Sequence, residues 1–524
     1  MFWATALILQ VAGGAHHNEF GGHWDEAGHY VTGLMVHDYL ASPSQWAHPG
    51  RFAADYYQHY PKVALGHWPP FFYLVQSAWT LPFSPTRISL LVLMALLTAL
   101  LAGTLYPVLR AEVGPPAALV LCLVFLALPL VQLYTDMLMA DILLAGLCFG
   151  AILCFGHFLD TGRWPSALGF GLLASLAILT KGSAMVLAVV PPAALVLSRR
   201  WHLATRPAFW LPAAVVLVLC GPWSWATRHL AHEGFLYPSP TPAFTIPAVA
   251  FYSKGLIEVV GVGLLLSAGI GLFVRLVKPS WQGGAGGIWA AAGSLLAGVL
   301  AFHCLVPVGF EERYLLPALP VLFLFVAAGA AWLAERWPRR STPAFRKAGV
   351  TLALALFFAL ENFALPKNAF YGFDPMADEL LARPQFQDAV FLVASESRGE
   401  GAFIAAVAAR ESRPGHVVLR SSKLLANINW MGQGEANLYQ TPDEVLHCLE
   451  QSAVEVVVVD TSALQEPGQG RVRLVLEAMA NHPERWELMA THSLVREAVE
   501  HPEALRVYRF AGRPTLEIKA KGKS

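Results

Sequence analysis

Eleven apolar runs set the terms on which this chain folds: 1–16, 87–109, 115–134, 142–159, 164–179, 183–198, 207–225, 256–274, 288–308, 315–334 and 348–366. A helix crosses the hydrocarbon of a bilayer with about 20 apolar residues. The stretch 164–198 is too long for one crossing. At about 1.5 Å per residue it would cover roughly 52 Å, against a core of about 30 Å. Lys181-Gly182 divides it into two spans joined by a tight turn. Only 14% of the 524 residues are charged and 56% are hydrophobic, whereas a soluble chain carries roughly a quarter charged residues. A soluble enzyme, a disordered regulator and a secreted disulfide scaffold are excluded. Lys+Arg 36 balances Asp+Glu 36, so net charge offers no route to nucleic acid. Cys122, Cys148, Cys154, Cys220 and Cys304 lie in apolar runs and only Cys448 in a polar one. Without pairs at loop spacing, neither disulfides nor a zinc site are expected.

The first span is short and has no basic stretch before it, a poor match to a signal peptide, although Ala12-Gly13-Gly14-Ala15 mimics a cleavage site. Orientation follows the Lys/Arg bias of the loops. Arg110, Arg163, Arg199, Arg200, Arg206, Arg275, Lys278, Arg336, Arg339, Arg340, Arg346 and Lys347 fall in one set of loops, which is therefore expected to be cytoplasmic. With eleven spans the N-terminus lies inside. The long loop 17–86 and everything after about 366 face outward.

The tail 367–524 changes character. Ala389–Ala394, His416–Leu419 and Val454–Asp460 have the pattern of strands, and Trp486–Thr491 and Leu505–Phe510 add two more. Ala402–Arg410, Pro442–Glu450 and Gly470–Ala480 have the pattern of helices. Such alternation predicts a small α/β domain. Gly399-Glu400-Gly401 follows the first strand, but Ile404 stands where a dinucleotide fingerprint needs a third glycine, so a plain turn into a helix is the stronger expectation. The loop 226–255, with Tyr237, Pro238, Pro240, Pro242 and Tyr252, is turn-rich and is expected to be mobile and to close over a ligand.

Charges near apolar boundaries are the informative residues, because each is expensive unless paired or used. Four features share the outer side. Asp25-Glu26 follow the first span; adjacent carboxylates repel, which raises one pKa toward general-base work, while the structural alternative is that Asp25 caps a helix over Glu26–Tyr39. Asp136 and Asp141 lie in an apolar stretch without a basic neighbour, suited to a metal or a sugar hydroxyl, or to capping the next span. Lys181 and Arg313 stand at outer span ends, and arginine matches phosphate bidentately. The alternative for Arg313 is a local ion pair with Glu311 or Glu312. Tyr60-Pro61-Lys62 and His67-Trp68-Pro69-Pro70 combine fixed backbone with interfacial aromatics. Eight of the 18 histidines fall in 16–67, but none has a carboxylate partner at zinc-ligand spacing.

In this order the residues resemble the glycosyltransferase-C superfamily. The likeness rests on the short first span, Asp25-Glu26 in a long outer loop, the Pro-Pro-aromatic segment, the acid before the fourth span, Leu179-Thr180-Lys181-Gly182, Gly221-Pro222-Trp223 and Arg313-Tyr314-Leu315-Leu316-Pro317. It covers about residues 1–366, and the branch it is most similar to holds the protein O-mannosyltransferases and lipid A aminoarabinose transferases. The resemblance implies an α-helical polytopic membrane enzyme, residues 1–366, followed by an extracytoplasmic α/β domain, residues 367–524. It implies a glycosyltransferase that takes a sugar from a polyprenyl-phosphate donor, with inversion, in a bacterial inner membrane. Asp25 would be the base on the acceptor hydroxyl, and Glu26 and Asp141 the accompanying catalytic acids. Lys181 and Arg313 would hold the donor phosphate. The lysine that aminoarabinose transferases carry before Pro-Pro is replaced here, leaving Lys62 or His67 as the further phosphate ligand. Asp136, Tyr314 and Trp68 would line the substrate site. No cofactor is required, a divalent metal being an alternative because members of the superfamily differ. Expected partners are the lipid-linked donor, a lipid, glycan or protein acceptor, and membrane lipids, with no nucleic acid.

The physics supports this direction. A prenyl chain leaves the bilayer at a cost of about 0.8 kcal/mol per CH₂, so its sugar must be met at the interface. Two other classes compete. A transporter or flippase needs polar groups near the midplane and repeat symmetry, and no repeat is visible. A scaffold subunit would use the tail to bind partners.

Overall fold

The computed structural model describes residues 1–230, 241–307, 309–337, 341–366, 369–428, 434–465, 468–497 and 499–512. They form two compact units. One comprises Met1–Gly13, Leu65–Val75 and Leu90–Pro366; the other comprises Gly14–Ala64, Gln76–Ser89 and Lys367–Ser524.

The first unit is helical, and every expected span holds a helix. They are Phe2–Ala12, Arg87–Val113, Pro115–Leu126 with Pro129–Thr135, Asp141–Thr161, Trp164–Ile178, Gly182–Ala188 with Val190–Ser198, Pro207–Ala226, Val262–Leu272, Gly287–Leu305, Glu312–Ala318 with Leu319–Arg336, and Pro343–Glu361. Among the described residues seven helices are long and apolar enough to cross a membrane, or eight with the bent pair 115–135, beside four shorter apolar helices. Prolines open several of them, where the missing N–H costs nothing. Pro129 stands at the 63° bend, where a residue without an N–H interrupts the ladder. The Gln132 side chain answers the interruption, donating from Nε2 to the Ala127 carbonyl at 2.7 Å and to that of Ala364 at 3.3 Å.

The loop expected over 226–255 is corrected by the structure. Pro242–Val260 is a helix, opened by the Thr241 side chain accepting from the Phe244 N–H. Its prolines suggested turns, yet Pro242 occupies the first turn, where proline is tolerated. Gly261, at φ 83°, separates it from the next helix, so the span expected from 256 starts at Val262. Tyr237, Pro238 and Pro240 lie outside the described residues. The helix is placed by contacts at both ends: Phe244 stacks on Phe310, and Asn362 donates to the Glu258 carbonyl at 2.7 Å.

The helices share two well-marked ends. At one, Arg200 pairs with Asp160 at 2.6 Å, the Gly287 N–H donates to Asp160 at 2.9 Å, Arg275 pairs with Glu112 at 2.6 Å and Lys347 donates to the Glu112 carbonyl at 2.6 Å. At the other, Lys181 meets Asp141, which begins the helix that Asp160 nearly ends. The loops grouped by their Lys/Arg content thus meet at a single end.

A close approach between helices joins Val262–Leu272 to Leu319–Arg336. A Cβ on Gly271 would sit 1.9 Å from the Phe325 carbonyl oxygen, and one on Gly329 1.9 Å from that of Ser267. Without a hydrophobic drive between helices in lipid, such backbone contact carries the association. Ser267 adds a hydrogen bond to the Val326 carbonyl at 2.9 Å.

The second unit is built on a six-stranded mixed sheet. In spatial order its strands are Phe370–Tyr371, Trp486–Arg496, Val499–Phe510, Val454–Asp460, Val390–Ala394 and Val418–Arg420. The last three are parallel, and the neighbours on the other side run antiparallel. Central strands that read VEVVVVD and VFLVA are nearly continuous in apolar residues because both faces are covered. Helices Ser397–Arg410, Pro442–Gln451 and Gly470–Asn481 follow the predicted segments.

The loop segments of this unit are fastened to the sheet domain by polar contacts. Glu19 accepts the N–H groups of Gly372, Phe373 and Asp374 at 2.8–3.0 Å, capping the helix Phe373–Leu381 from a distant part of the sequence. Asp38 holds Arg413 at 2.8 and 3.0 Å and accepts from Tyr56 at 2.9 Å. Lys62 donates to the carbonyl and hydroxyl of Ser397. Burial, reinforced by Asp374, pushes the Glu19 carboxyl up to about 7 despite its three N–H donors.

Two outcomes follow. Gly329→Leu forces the helix pair apart and lowers the thermal transition in detergent, by an overpacking cost of about 1–3 kcal/mol or more, while Gly103→Leu, at an open position, leaves it in place. Equal melting of both variants would contradict the close crossing. For Glu19, the folded value lies above the ordinary 4.5, so its contribution is full below about 4.5 and is lost as pH rises through about 7. Stability of the second unit therefore rises on acidification from about pH 8 to about pH 5, and Glu19→Gln flattens that dependence.

Candidate active site

In the helical unit, four of the expected site residues come together. Asp141 opens the helix Asp141–Thr161, where a carboxylate is favoured by the unpaired N–H groups of the first turn. Lys181 stands just past the helix Trp164–Ile178, in extended backbone that leads into the turn Gly182–Ala188. Its ammonium lies 2.6 Å from Asp141 Oδ1; the carboxylate side chain is 2% exposed and the lysine 23%. The same ammonium lies 5.3 Å from the centre of the Tyr314 ring. The Arg313 guanidinium lies 5.5 Å from that ring. Two cations that are 132 residues apart in the sequence thus share one aromatic face system, the arrangement a cation–π contact favours.

Arg313 is also paired with Glu311, at 3.0 and 3.2 Å, so the local ion pair is present. Glu311 orients the guanidinium rather than removing it from use, since a guanidinium carries five N–H groups. The segment that follows the first outer turn is tied in as well: the Phe71 N–H donates to the Leu179 carbonyl at 2.8 Å. This brings Phe71 to the residues just before Lys181, with His67 and Trp68, both half-buried, preceding it in the chain. Asp136 follows Pro129–Thr135, is buried, and its Oδ2 lies 3.2 Å from where a Cβ on Gly13 would be.

Sequence inspection missed the floor of this cluster. His303, inside an apolar run, stacks on Tyr314 with centroids 4.5 Å apart and planes at 6°. Tyr252 packs against His303 at 5.9 Å and donates to the Gly309 carbonyl at 3.2 Å. A lone histidine near the end of an apolar run was the available signal.

The second unit holds Asp25, Glu26 and Lys62. The adjacent acids have separate surroundings. Glu26 has a fully buried side chain, paired with Arg87 at 3.0 Å and accepting from the Gly22 N–H. Asp25 precedes the helix Glu26–Ala41, and its side chain makes no capping hydrogen bond there. It is 22% exposed, with His23 Nδ1 at 3.7 Å. Glu26 therefore anchors the helix, while Asp25 stays partly exposed. Lys62 sits on Ser397, where burial and then the Arg420 guanidinium push its ammonium down to about 7 against the opposing pull of Glu400, Asp25 and Glu396.

Gly399 and Gly401 lie within the helix Ser397–Arg410, whose N-terminus is capped by the Glu396 carboxylate through the N–H groups of Arg398 and Gly399. An acid already occupies the place a phosphate would take, so the dinucleotide alternative does not fit. Among the described residues no three His, Cys, Asp or Glu side chains gather to hold a metal ion. Of the clustered histidines, His37 meets the Thr80 hydroxyl at 2.8 Å and His59 the Asp55 carbonyl at 2.9 Å.

A family model for dolichyl-phosphate-mannose-protein mannosyltransferases matches residues 67–225. A comparison with curated proteins finds no match. Among solved structures, ArnT from Cupriavidus metallidurans in the apo state is similar at a TM-score of 0.61 and 14% identity, over 97% of this chain and 96% of that one. The same protein bound to undecaprenyl phosphate gives 0.58 and 14%, over 97% of each chain. The archaeal oligosaccharyltransferase AglB from Archaeoglobus fulgidus, in complex with an inhibitory peptide and a dolichol-phosphate, gives 0.54 and 11%, over 96% of this chain and 74% of that one. This integral membrane protein has the glycosyltransferase-C fold.

Proposed function

We propose that the chain is a membrane glycosyltransferase that moves a sugar from a polyprenyl-phosphate donor to an acceptor hydroxyl on the extracytoplasmic face. One observation carries the proposal: Lys181 and Arg313, from separate helix breaks, converge on Tyr314 at one end of an apolar bundle, with Asp141 fixing the lysine. Each cation has a carboxylate beside it, and their convergence on one ring suits a lipid phosphate at the interface. The fold shared with structures that hold undecaprenyl phosphate or dolichol-phosphate supports the same ligand class.

The chemistry follows from the residue types. Asp25 accepts the proton of the acceptor hydroxyl as its oxygen attacks the anomeric carbon. The bond from that carbon to the phosphate oxygen breaks, and its electron pair leaves with the lipid phosphate. Lys181 and Arg313 stabilise the growing negative charge, and do so more strongly in a site of low dielectric than they would in water. Attack opposite the departing phosphate inverts the anomeric centre. Asp141 acts by orienting Lys181, and Tyr314 by seating both cations. His67, Trp68 and Asp136 complete the donor and sugar side of the site, and Lys62 and Glu26 support the helix that carries Asp25. The setting is a bacterial inner membrane with the N-terminus inside.

The test is turnover of purified protein with radiolabelled prenyl-phosphate mannose, glucose and aminoarabinose, with and without EDTA. Asp25→Asn binds donor but loses about 10²- to 10⁴-fold in turnover, the usual worth of a general base. Absence of binding to every donor by the wild-type chain would sink the proposal. For the ion pair, Asp141→Asn removes a carboxylate from beside a partly buried lysine and weakens donor binding as well as stability. A double-mutant cycle of Asp141→Asn with Lys181→Met yields a coupling of about 0.5–3 kcal/mol, and additivity within about 0.3–0.5 kcal/mol would mean the two act separately.

A further inference from the structure

His303 is 4% exposed, and its Nδ1 is buried with no hydrogen-bond partner among the described residues. Its ring lies flat on Tyr314, the residue that already underlies Lys181 and Arg313. Tyr252 and Phe302 hold it from other sides, at 5.9 and 5.1 Å. An imidazole needs a partner for each ring nitrogen, and a buried nitrogen without one is expensive unless a ligand or an ordered water supplies it. Phenylalanine or leucine would fill the same apolar place without that cost. The polar atom thus belongs to a ring stacked on Tyr314, on which the two cations also converge.

We propose that His303 is a binding residue for the phosphate of the lipid-linked donor, its imidazole donating from Nδ1–H to a phosphate oxygen while Tyr314 fixes the plane of the ring. The cations hold the anion, and the imidazole N–H selects which of its oxygens faces inward. The inference rests on the donor class proposed above.

The experiment measures binding of undecaprenyl phosphate and of undecaprenol to the full chain in nanodiscs, for wild type, His303→Phe and His303→Asn. Phenylalanine keeps the stack on Tyr314 and removes the nitrogen; asparagine places an N–H near the Nδ1 position. The expected result is about a tenfold loss of phosphate-lipid affinity in His303→Phe, with undecaprenol binding unchanged and affinity largely restored in His303→Asn. Wild-type affinity for the phosphate lipid in His303→Phe overturns the inference alone and makes His303 a packing residue. An equal loss in His303→Asn overturns the assignment to Nδ1. A wild-type chain that does not distinguish undecaprenyl phosphate from undecaprenol overturns the donor class and this inference with it.

Discussion

The contact between Lys181 and Asp141, 2.6 Å long and placed where apolar helices end, is what this end of the bundle is organised around. It joins the start of one helix to the break between two others. A lone ammonium or carboxylate at that depth would be strongly disfavoured; paired, each can stay ionised. Once the lysine is fixed, Tyr314 has a cation over its ring, Arg313 lies against the same ring and pairs with Glu311, and His303 stacks on Tyr314. The charges stand at helix starts and breaks.

The second unit shows how the long loop after the first helix gains a fixed shape. Its first helix buries Ala27, Tyr30, Val31, Leu34 and Met35. Glu19, Asp38 and Lys62 add polar ties to backbone and side-chain groups of the sheet domain. The tail thereby gains a structural role as a support for the helix that begins after Asp25. The neighbouring acids illustrate the economy of that support: Glu26 is consumed by Arg87, and Asp25 keeps its exposure.

Much of the architecture was legible because hydropathy records burial directly. All eleven apolar runs hold helices, and each strand and helix segment expected in the tail holds one, while Phe370–Tyr371 and the helix Phe373–Leu381 were not expected. The sheet's order was not legible, because strand neighbours such as Val454–Asp460 and Val499–Phe510 are set by packing across the sheet and not by local sequence. Asp141, Lys181 and Arg313 announced themselves as charges in apolar surroundings. His303 did not, because a histidine in an apolar run is equally compatible with plain packing. The helix Pro242–Val260 was hidden by its prolines, which have opposite meanings in a turn and in a first helical turn.

That helix is long and apolar enough to cross a bilayer, yet Phe244 near its start reaches Phe310 and Glu258 near its finish reaches Asn362, both beyond the same ends of the helices they follow. It is a crossbar, and a crossbar leaves the parity of the chain unchanged. Had it been a crossing, every later helix would run the other way, and Arg313 would emerge on the face opposite Lys181. Their shared aromatic ring depends on an apolar helix that contributes length to the chain but no change of side.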